Sequence, residues 1–517
     1  MLLTSPASVA SFLAAALMLC LLYISQASKC SRLARLPPGP RSLPLLRNVH
    51  QFPKNLQYHL FAKWGQKYGD IVFMKVLQQP TLVINSLHAA NELLTSRGAK
   101  YSDRSSSRLL TMMGLDIMTP FLGYGERWRL HRRLMQASFG DQAALARLRP
   151  VQQRETIALL LRLAQEPDAF ACHIKRFAAA LIMGSTYGKP YDEDFLSSGE
   201  AIVQMLVDVA GTPTAALVDN LPFSTYVPSW ILGILFGSGL LETRSVLERV
   251  MNSSFEDAKA AMNSGTATDS FITHIMDASA SKLHQLGDDE DVKKIAFIVF
   301  LAGFGALTIP VNTFLVTMAL HEDVFAKAQQ NIDEVVGTER LPDLSDRDSL
   351  PYVDAILWEV YRINPPLRLS VPRRVMEEDE YCGYRVPKGT LVLPNIWQMA
   401  HDANHYTDPD TFNPDRFIDP ATGKHAGLDP REYIFSFGRR ACPGQRFSDD
   451  SLWLVTASII ATFNVKKALD AEGREIMPSL TVKLPGLTGH LEKFECSIQP
   501  RSQRALELIA ESSMRSH

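Results

Sequence analysis

Phe435-Ser436-Phe437-Gly438-Arg439-Arg440-Ala441-Cys442-Pro443-Gly444 leads through Gln445-Arg446-Phe447-Ser448 into an apolar run, Leu452-Trp453-Leu454-Val455, whose pattern predicts a helix. A cysteine in a Gly- and Pro-bounded loop ahead of a helix meets backbone N–H groups and the positive end of the helix dipole. Both favour a thiolate. Arg439 and Arg440 add positive charge, and Phe435 and Phe437 supply an apolar wall. Such a thiolate can attack carbon, exchange disulfides or bind a metal. The plain alternative is a free buried thiol, the commoner fate of a lone cysteine.

The spacing F-x-x-G-x-R-x-C-x-G resembles the haem-binding loop of the cytochrome P-450 family. Phe435, Gly438, Arg440, Cys442 and Gly444 stand at its defining positions. The resemblance implies haem b as cofactor and the Cys442 sulfur as proximal iron ligand, its electron donation favouring O–O cleavage. Gly438 lets the backbone turn closely around the sulfur, where a Cβ would be awkward.

Composition fits this reading. Hydrophobic residues form 46% of the 517-residue chain and charged residues 21%, ordinary values for a large globular core. A net charge of -2 argues against nucleic acid as a partner. The six cysteines, at 20, 30, 172, 382, 442 and 496, follow no paired spacing and suit a reducing compartment.

From Met1 to Ser28 there is no charged side chain, and residues 7–25 are apolar enough to span a bilayer. About 20 residues at ~1.5 Å each cross the hydrocarbon core. Lys29, Arg32 and Arg35 follow, so the positive-inside rule keeps the later chain in the cytosol. A cleaved signal peptide ending near Ser25-Gln26-Ala27 is the competing reading, but it lacks a positively charged n-region. Leu36-Pro37-Pro38-Gly39-Pro40 then makes a stiff elbow. In microsomal members of the family a proline-rich hinge occupies this place. The expected organisation is a lumenal N-terminus (1–6), an anchor (7–25), a hinge (26–45) and one haem-thiolate domain (46–517). The fold class is mainly α with small β-sheets, behind one transmembrane helix in the endoplasmic reticulum membrane.

Ile71–Val76 and Thr81–Ile84 predict a short β-hairpin. Trp128 and Arg132 share a helix face at i and i+4, and the resemblance assigns both to a haem propionate. Arg127, Arg129 and Arg133 then form a basic surface for an acidic reductase. The apolar stretches Leu221-Pro222-Phe223 and Tyr226–Leu232 fall where the family has its substrate lid.

A long apolar helix is predicted from about 290 to 321, with Asp288–Asp291 at its positive end. Here the family writes A-G-x-(Asp or Glu)-Thr, whose acid and alcohol organise water and deliver protons during oxygen activation. This chain has Ala302-Gly303-Phe304-Gly305-Ala306, so Gly305 and Ala306 replace the pair. Thr308 lies about 200° further round the helix and points away. Pro310 cannot donate to the Ala306 carbonyl, which it leaves available to a water.

Glu359 and Arg362 share a face at i, i+3, and Arg416 follows in Phe412-Asn413-Pro414-Asp415-Arg416-Phe417. The resemblance joins these three in a buried structural network. Ser370–Arg374 and Tyr384–Val392 predict strands of a small sheet, with Arg373 at a propionate-binding position and Val371 in the pocket. His490, in Thr488-Gly489-His490, falls in the last substrate-contacting turn and reads as a satisfied polar residue rather than an iron ligand.

The resemblance thus implies a monooxygenase that takes electrons from NADPH–cytochrome P-450 reductase. It would insert one oxygen atom of O2 into a hydrophobic small molecule. The wording around the motifs looks most like fungal members of secondary metabolism, with a terpenoid as the expected substrate. Loss of the acid–alcohol pair leaves two alternatives: a haem-thiolate isomerase or dehydratase, and a silent haem-binding paralogue.

Overall fold

The computed structural model describes residues 35–44, 46–53, 57–209, 218–219, 239–277, 288–482 and 488–515. The expected anchor, the start of the hinge and the apolar lid stretches from 221 to 232 lie outside the described residues. Helices dominate, and the strands are short and gathered at the edges.

The helices that position the site are α1 (Gln57–Tyr68), α2 (Glu126–Phe139), α3 (Gln142–Gln165), α4 (Phe170–Tyr187), α5 (Asp289–Leu320), α6 (Pro351–Ile363), α7 (Ile396–Ala400) and α8 (Gln445–Thr462). Two of them are apolar nearly all round, as the core helices of a large domain must be. The first is α5, which packs on α4, α6 and α8. Among the described residues it alone is long and apolar enough to cross a membrane, and most of its surface is already covered by protein. The second is α8, where Trp453 is fully buried.

Local signals set the helix ends. Asp288 caps α5 by accepting from the Asp291 backbone N–H, with Asp289, Glu290 and Asp291 filling the first turn. Pro351 opens α6 at a position where no N–H is needed.

Strands β1 (Ile71–Val76) and β2 (Gln79–Ile84) pair antiparallel, with Ile71 opposite Ile84. The turn between them puts Leu77 at φ 54°. Further on come β3 (Arg373–Arg374), β4 (Asp379–Tyr381), β5 (Tyr384–Val386) and β6 (Leu391–Pro394). One sheet runs β1-β2-β6-β3, with β6 parallel to β2. The expected single sheet over 384–392 is corrected here: β5 pairs with β4 in a separate ribbon. Pro387 and Gly389, at φ +82°, break the chain between β5 and β6. A third sheet joins β7 (Phe463–Leu469) to β8 (Glu475–Ile476) and β9 (Cys496–Pro500).

The described part of the hinge is docked on the domain. Phe73 N–H donates to the Pro38 carbonyl at 2.8 Å. A Cβ on Gly39 would lie 1.8 Å from the Phe73 carbonyl oxygen, so only glycine fits this approach.

Candidate active site

The cysteine loop is shaped by two left-handed residues, Ser436 at φ 65° and Gly438 at φ 49°. It closes on itself where Cys442 N–H donates to the Phe435 carbonyl at 2.8 Å. A Cβ on Gly438 would sit 2.3 Å from the Leu94 carbonyl oxygen, because the loop lies against the π-helical turn Asn91–Ser96. Gly444, just before α8, has open space around its Cα instead. Phe435 packs edge-on against Tyr361, with ring centroids 5.9 Å apart.

Cys442 lies deep within the protein, yet its own surface is open. Burial pushes the Cys442 thiol up, against the pull of the Gly444 N–H and the Arg132 charge. Desolvation outweighs the helix-start effect. The charge acting on the sulfur comes from Arg132, since Arg439 turns outward to the Tyr124 hydroxyl and Arg440 turns to backbone carbonyls.

Around the cysteine loop the chain gathers arginines. Arg132 Nη1 donates to the Ala441 carbonyl at 2.7 Å. Arg440 donates to the carbonyls of Ser102 and Leu122, both at 2.8 Å, and its guanidinium stacks on buried Trp128 at 4.4 Å. Arg373, fully buried, uses one nitrogen on the Ser436 hydroxyl and the Phe437 carbonyl, at 2.9 and 2.8 Å. Its Nε and Nη1 meet no partner among the described residues. Burial, then repulsion from Arg440, lowers Arg373 to about 9. Arg440 is lowered to about 10 by burial, with Asp103 opposing and Arg132 reinforcing the shift. Arg104 is driven well down by burial and by the charges of Arg440 and Arg373.

Buried cations that repel one another need an anion to neutralise them. A flat apolar group bearing carboxylates and a thiolate-binding metal would meet both the arginines and the accessible sulfur. The donor set therefore fits haem.

Another open surface belongs to α5. Ala302 is exposed, and Gly305 and Ala306 are partly open, in a helix whose Phe304, Leu307 and Thr308 are buried. The Thr308 hydroxyl donates to the Phe304 carbonyl at 3.1 Å and is spent within the helix. The helix runs unbroken through Pro310.

Beneath the loop, Glu359 and Arg362 are fully buried and doubly hydrogen-bonded, at 2.7 and 2.8 Å. Arg416 Nε reaches the same carboxylate at 3.2 Å. Carbonyls of Ala400, Pro409 and Thr411 take up the remaining Arg362 donors, so every charge is answered. On the outer side, Arg127, Arg129, Arg133, Arg439 and Arg446 are exposed, with Arg127 paired with Asp291 at 2.7 Å and Arg129 with Glu126.

Several site residues escaped the sequence reading. Arg104 hydrogen-bonds the carbonyls of Pro120, Val371 and Pro372 and so stitches distant segments beside Arg373. Ser436, whose backbone is left-handed, accepts from Arg373. His131, buried between the Thr119 hydroxyl at 2.8 Å and Asp291 at 3.0 Å, ties α2 to the start of α5. The run Tyr101-Ser102-Asp103-Arg104 was the available signal, but one sequence does not say where it docks.

Residues 37–488 match the model of the family described as cytochrome P-450. Cytochrome P-450 monooxygenase 176 of Postia placenta is 39% identical over 485 residues, covering 92% of both chains. Cytochrome P-450 monooxygenase claR of Ampulloclitocybe clavipes is 36% identical, covering 92% of this chain and 88% of its own. A similar protein of Coprinopsis cinerea, cytochrome P-450 monooxygenase COX1, is 32% identical over 92% of this chain and 93% of its own.

Proposed function

This chain belongs to the cytochrome P-450 family of haem-dependent monooxygenases, and from that premise we propose that it oxidises an apolar secondary metabolite, a terpenoid or a similar intermediate. Two electrons come from NADPH through an acidic reductase, and one atom of O2 enters the substrate. The haem supplies the oxygen-activating chemistry; the protein supplies position, charge and control of water.

Cys442 would ligate the iron. Arg132, Arg373 and Arg440 would hold the propionates, with Trp128 stacked behind Arg440 and Arg104 completing the positive field. Phe435, Gly438 and Gly444 shape the loop. Gly305 and Ala306 would form the groove over which oxygen is handled, without the usual acid and threonine. Glu359, Arg362 and Arg416 brace the loop from below and take no part in chemistry. Arg127, Arg129 and Arg133, joined by Arg439 and Arg446, would offer the reductase a basic face. Anchorage in the endoplasmic reticulum membrane through residues 7–25 completes the proposal.

The observation that carries it is the fully buried Arg373, two of whose guanidinium nitrogens meet no partner among the described residues, close to Arg440 and to the loop that holds an accessible Cys442. The test uses membranes holding the protein and its reductase, fed candidate metabolites with NADPH under heavy-isotope dioxygen. A product carrying the label is expected. A new product with no label and no NADPH requirement would favour the isomerase or dehydratase reading, which the missing acid–alcohol pair keeps in view.

A further inference from the structure

Gly305 marks the place where the helix lacks a polar group, and the structure sets one against it from elsewhere. A Cβ built on Gly305 would lie 3.6 Å from His490 Nε2 and 4.0 Å from its Cε1. Beyond its chain neighbours and its own helix backbone, no other described heavy atom lies within 4 Å of that point. The imidazole therefore lies in ordinary van der Waals contact with the point from which a side chain at 305 would project.

His490 is held in that place by the residue before it. Gly489 N–H donates to the Pro366 carbonyl at 3.0 Å, and its own carbonyl accepts from Asn364 Nδ2 at 2.9 Å. The same Asn364 amide donates to the Thr313 hydroxyl of α5 at 2.9 Å. A Cβ on Gly489 would fall 2.6 Å from Asn364 Oδ1 and 2.8 Å from the Pro365 carbonyl, so the turn is tightly seated. Thr488 adds a β-bridge to Leu367. An imidazole on so fixed a backbone meets the requirement for a functional group, which is support from its surroundings.

We propose that His490 is the proton-handling residue of the α5 face. With a water held against Gly305 it supplies the hydrogen bond and proton that the family draws from the acid and alcohol of the helix. This rests on the monooxygenase reading. The balance is RH + O2 + NADPH + H+ giving ROH + H2O + NADP+. The imidazole passes a proton inward from one nitrogen and recovers one from solvent, so it is unchanged over a turnover. Without it, the competing outcome is NADPH + H+ + O2 giving H2O2 + NADP+. Thr308 cannot fill the role, because its hydroxyl is buried and donates to the Phe304 carbonyl.

The test compares the haem-loaded enzyme with His490→Gln, His490→Ala and the triple variant His490→Ala/Gly305→Asp/Ala306→Thr. Product formation in His490→Ala should fall roughly 10²-fold, the lower range for a lost positioned proton donor, while NADPH consumption continues and peroxide accumulates. The triple variant should recover product. A second readout needs no turnover: the C–O stretching frequency of the ferrous carbon monoxide complex reports a nearby hydrogen-bond donor. It should shift in His490→Ala and shift less in His490→Gln, which also carries the test if the alanine variant fails to load haem. Unchanged coupling and an unchanged stretch overturn the proposal. So does a resting optical spectrum of nitrogen ligation that disappears in His490→Ala, which would make His490 an iron ligand. Absence of labelled product from the unaltered enzyme would instead count against the monooxygenase reading itself.

Discussion

Arg132 Nη1 lies 2.7 Å from the carbonyl oxygen of Ala441, the residue directly before Cys442. One guanidinium thus fixes the backbone of the cysteine loop from α2 and also acts on the sulfur through space. A lysine at 132 keeps the charge but cannot spread planar donors between the loop and a propionate. Arg132→Lys should weaken haem retention about ten-fold and Arg132→Ala up to about 100-fold, the range expected for a charged hydrogen bond of about 1.5–3 kcal/mol. Haem loss to an excess of a haem-scavenging protein, followed by absorbance, checks this.

Two glycines of the same motif should behave differently. Gly438→Ala forces a Cβ onto the Leu94 carbonyl at 2.3 Å in a left-handed backbone, and overpacking of this kind costs about 1–3 kcal/mol. Gly444→Ala meets nothing within 4 Å and should stay within about 0.5 kcal/mol of the unaltered protein. Urea unfolding of the two variants separates them.

Glu359 answers two arginines, so its removal strands both. Glu359→Ala should cost about 3–5 kcal/mol, the penalty for breaking a buried ion pair from one side. Glu359→Gln keeps the shape but removes the charge, and should also fail to restore stability. The readout is the yield of thiolate-ligated holoenzyme, taken from its carbon monoxide difference spectrum.

Acid should unfold the protein partly through His401. Burial, then the Arg362 charge, lowers this imidazole from 6.5 to about 3, and its Nδ1 pairs with the Trp397 carbonyl at 2.9 Å. The folded pKa lies below the unfolded one, so the unfolded chain binds the extra proton. The stability His401 contributes is therefore full above pH 6.5 and is lost as pH falls towards 3, by about 1.4 kcal/mol per unit. His401→Gln should flatten the fall of the urea midpoint between about pH 6 and 5 by one proton's worth.

How much of this was legible in the sequence depended on distance along the chain. The loop around Cys442, the acid-capped α5 and the Glu359–Arg362 pair are local patterns, and the helix period alone puts their members together. Arg104 beside Arg373, and His490 against Gly305, are joined only by the way the whole chain folds back. Nothing periodic announces such meetings. The β5–β6 break was readable in principle from Pro387 and Gly389, but two short apolar runs do not declare their partners. At the sulfur, burial also acts on the free thiol, and desolvation depends on packing that a sequence does not display.

The position of α8 has a consequence for how the chain is made. Residues 445–462 fill the space between α3, α5 and α6, elements translated long before them. Until Thr462 has cleared the ribosome, the apolar faces awaiting Trp453 and its neighbours have no occupant. The nascent chain must then be sheltered from aggregation while its helices are already formed. A transcript truncated just upstream of Gln445 would keep Cys442 but lose the helix that fills this space, leaving the rest of the polypeptide as a substrate for proteolysis.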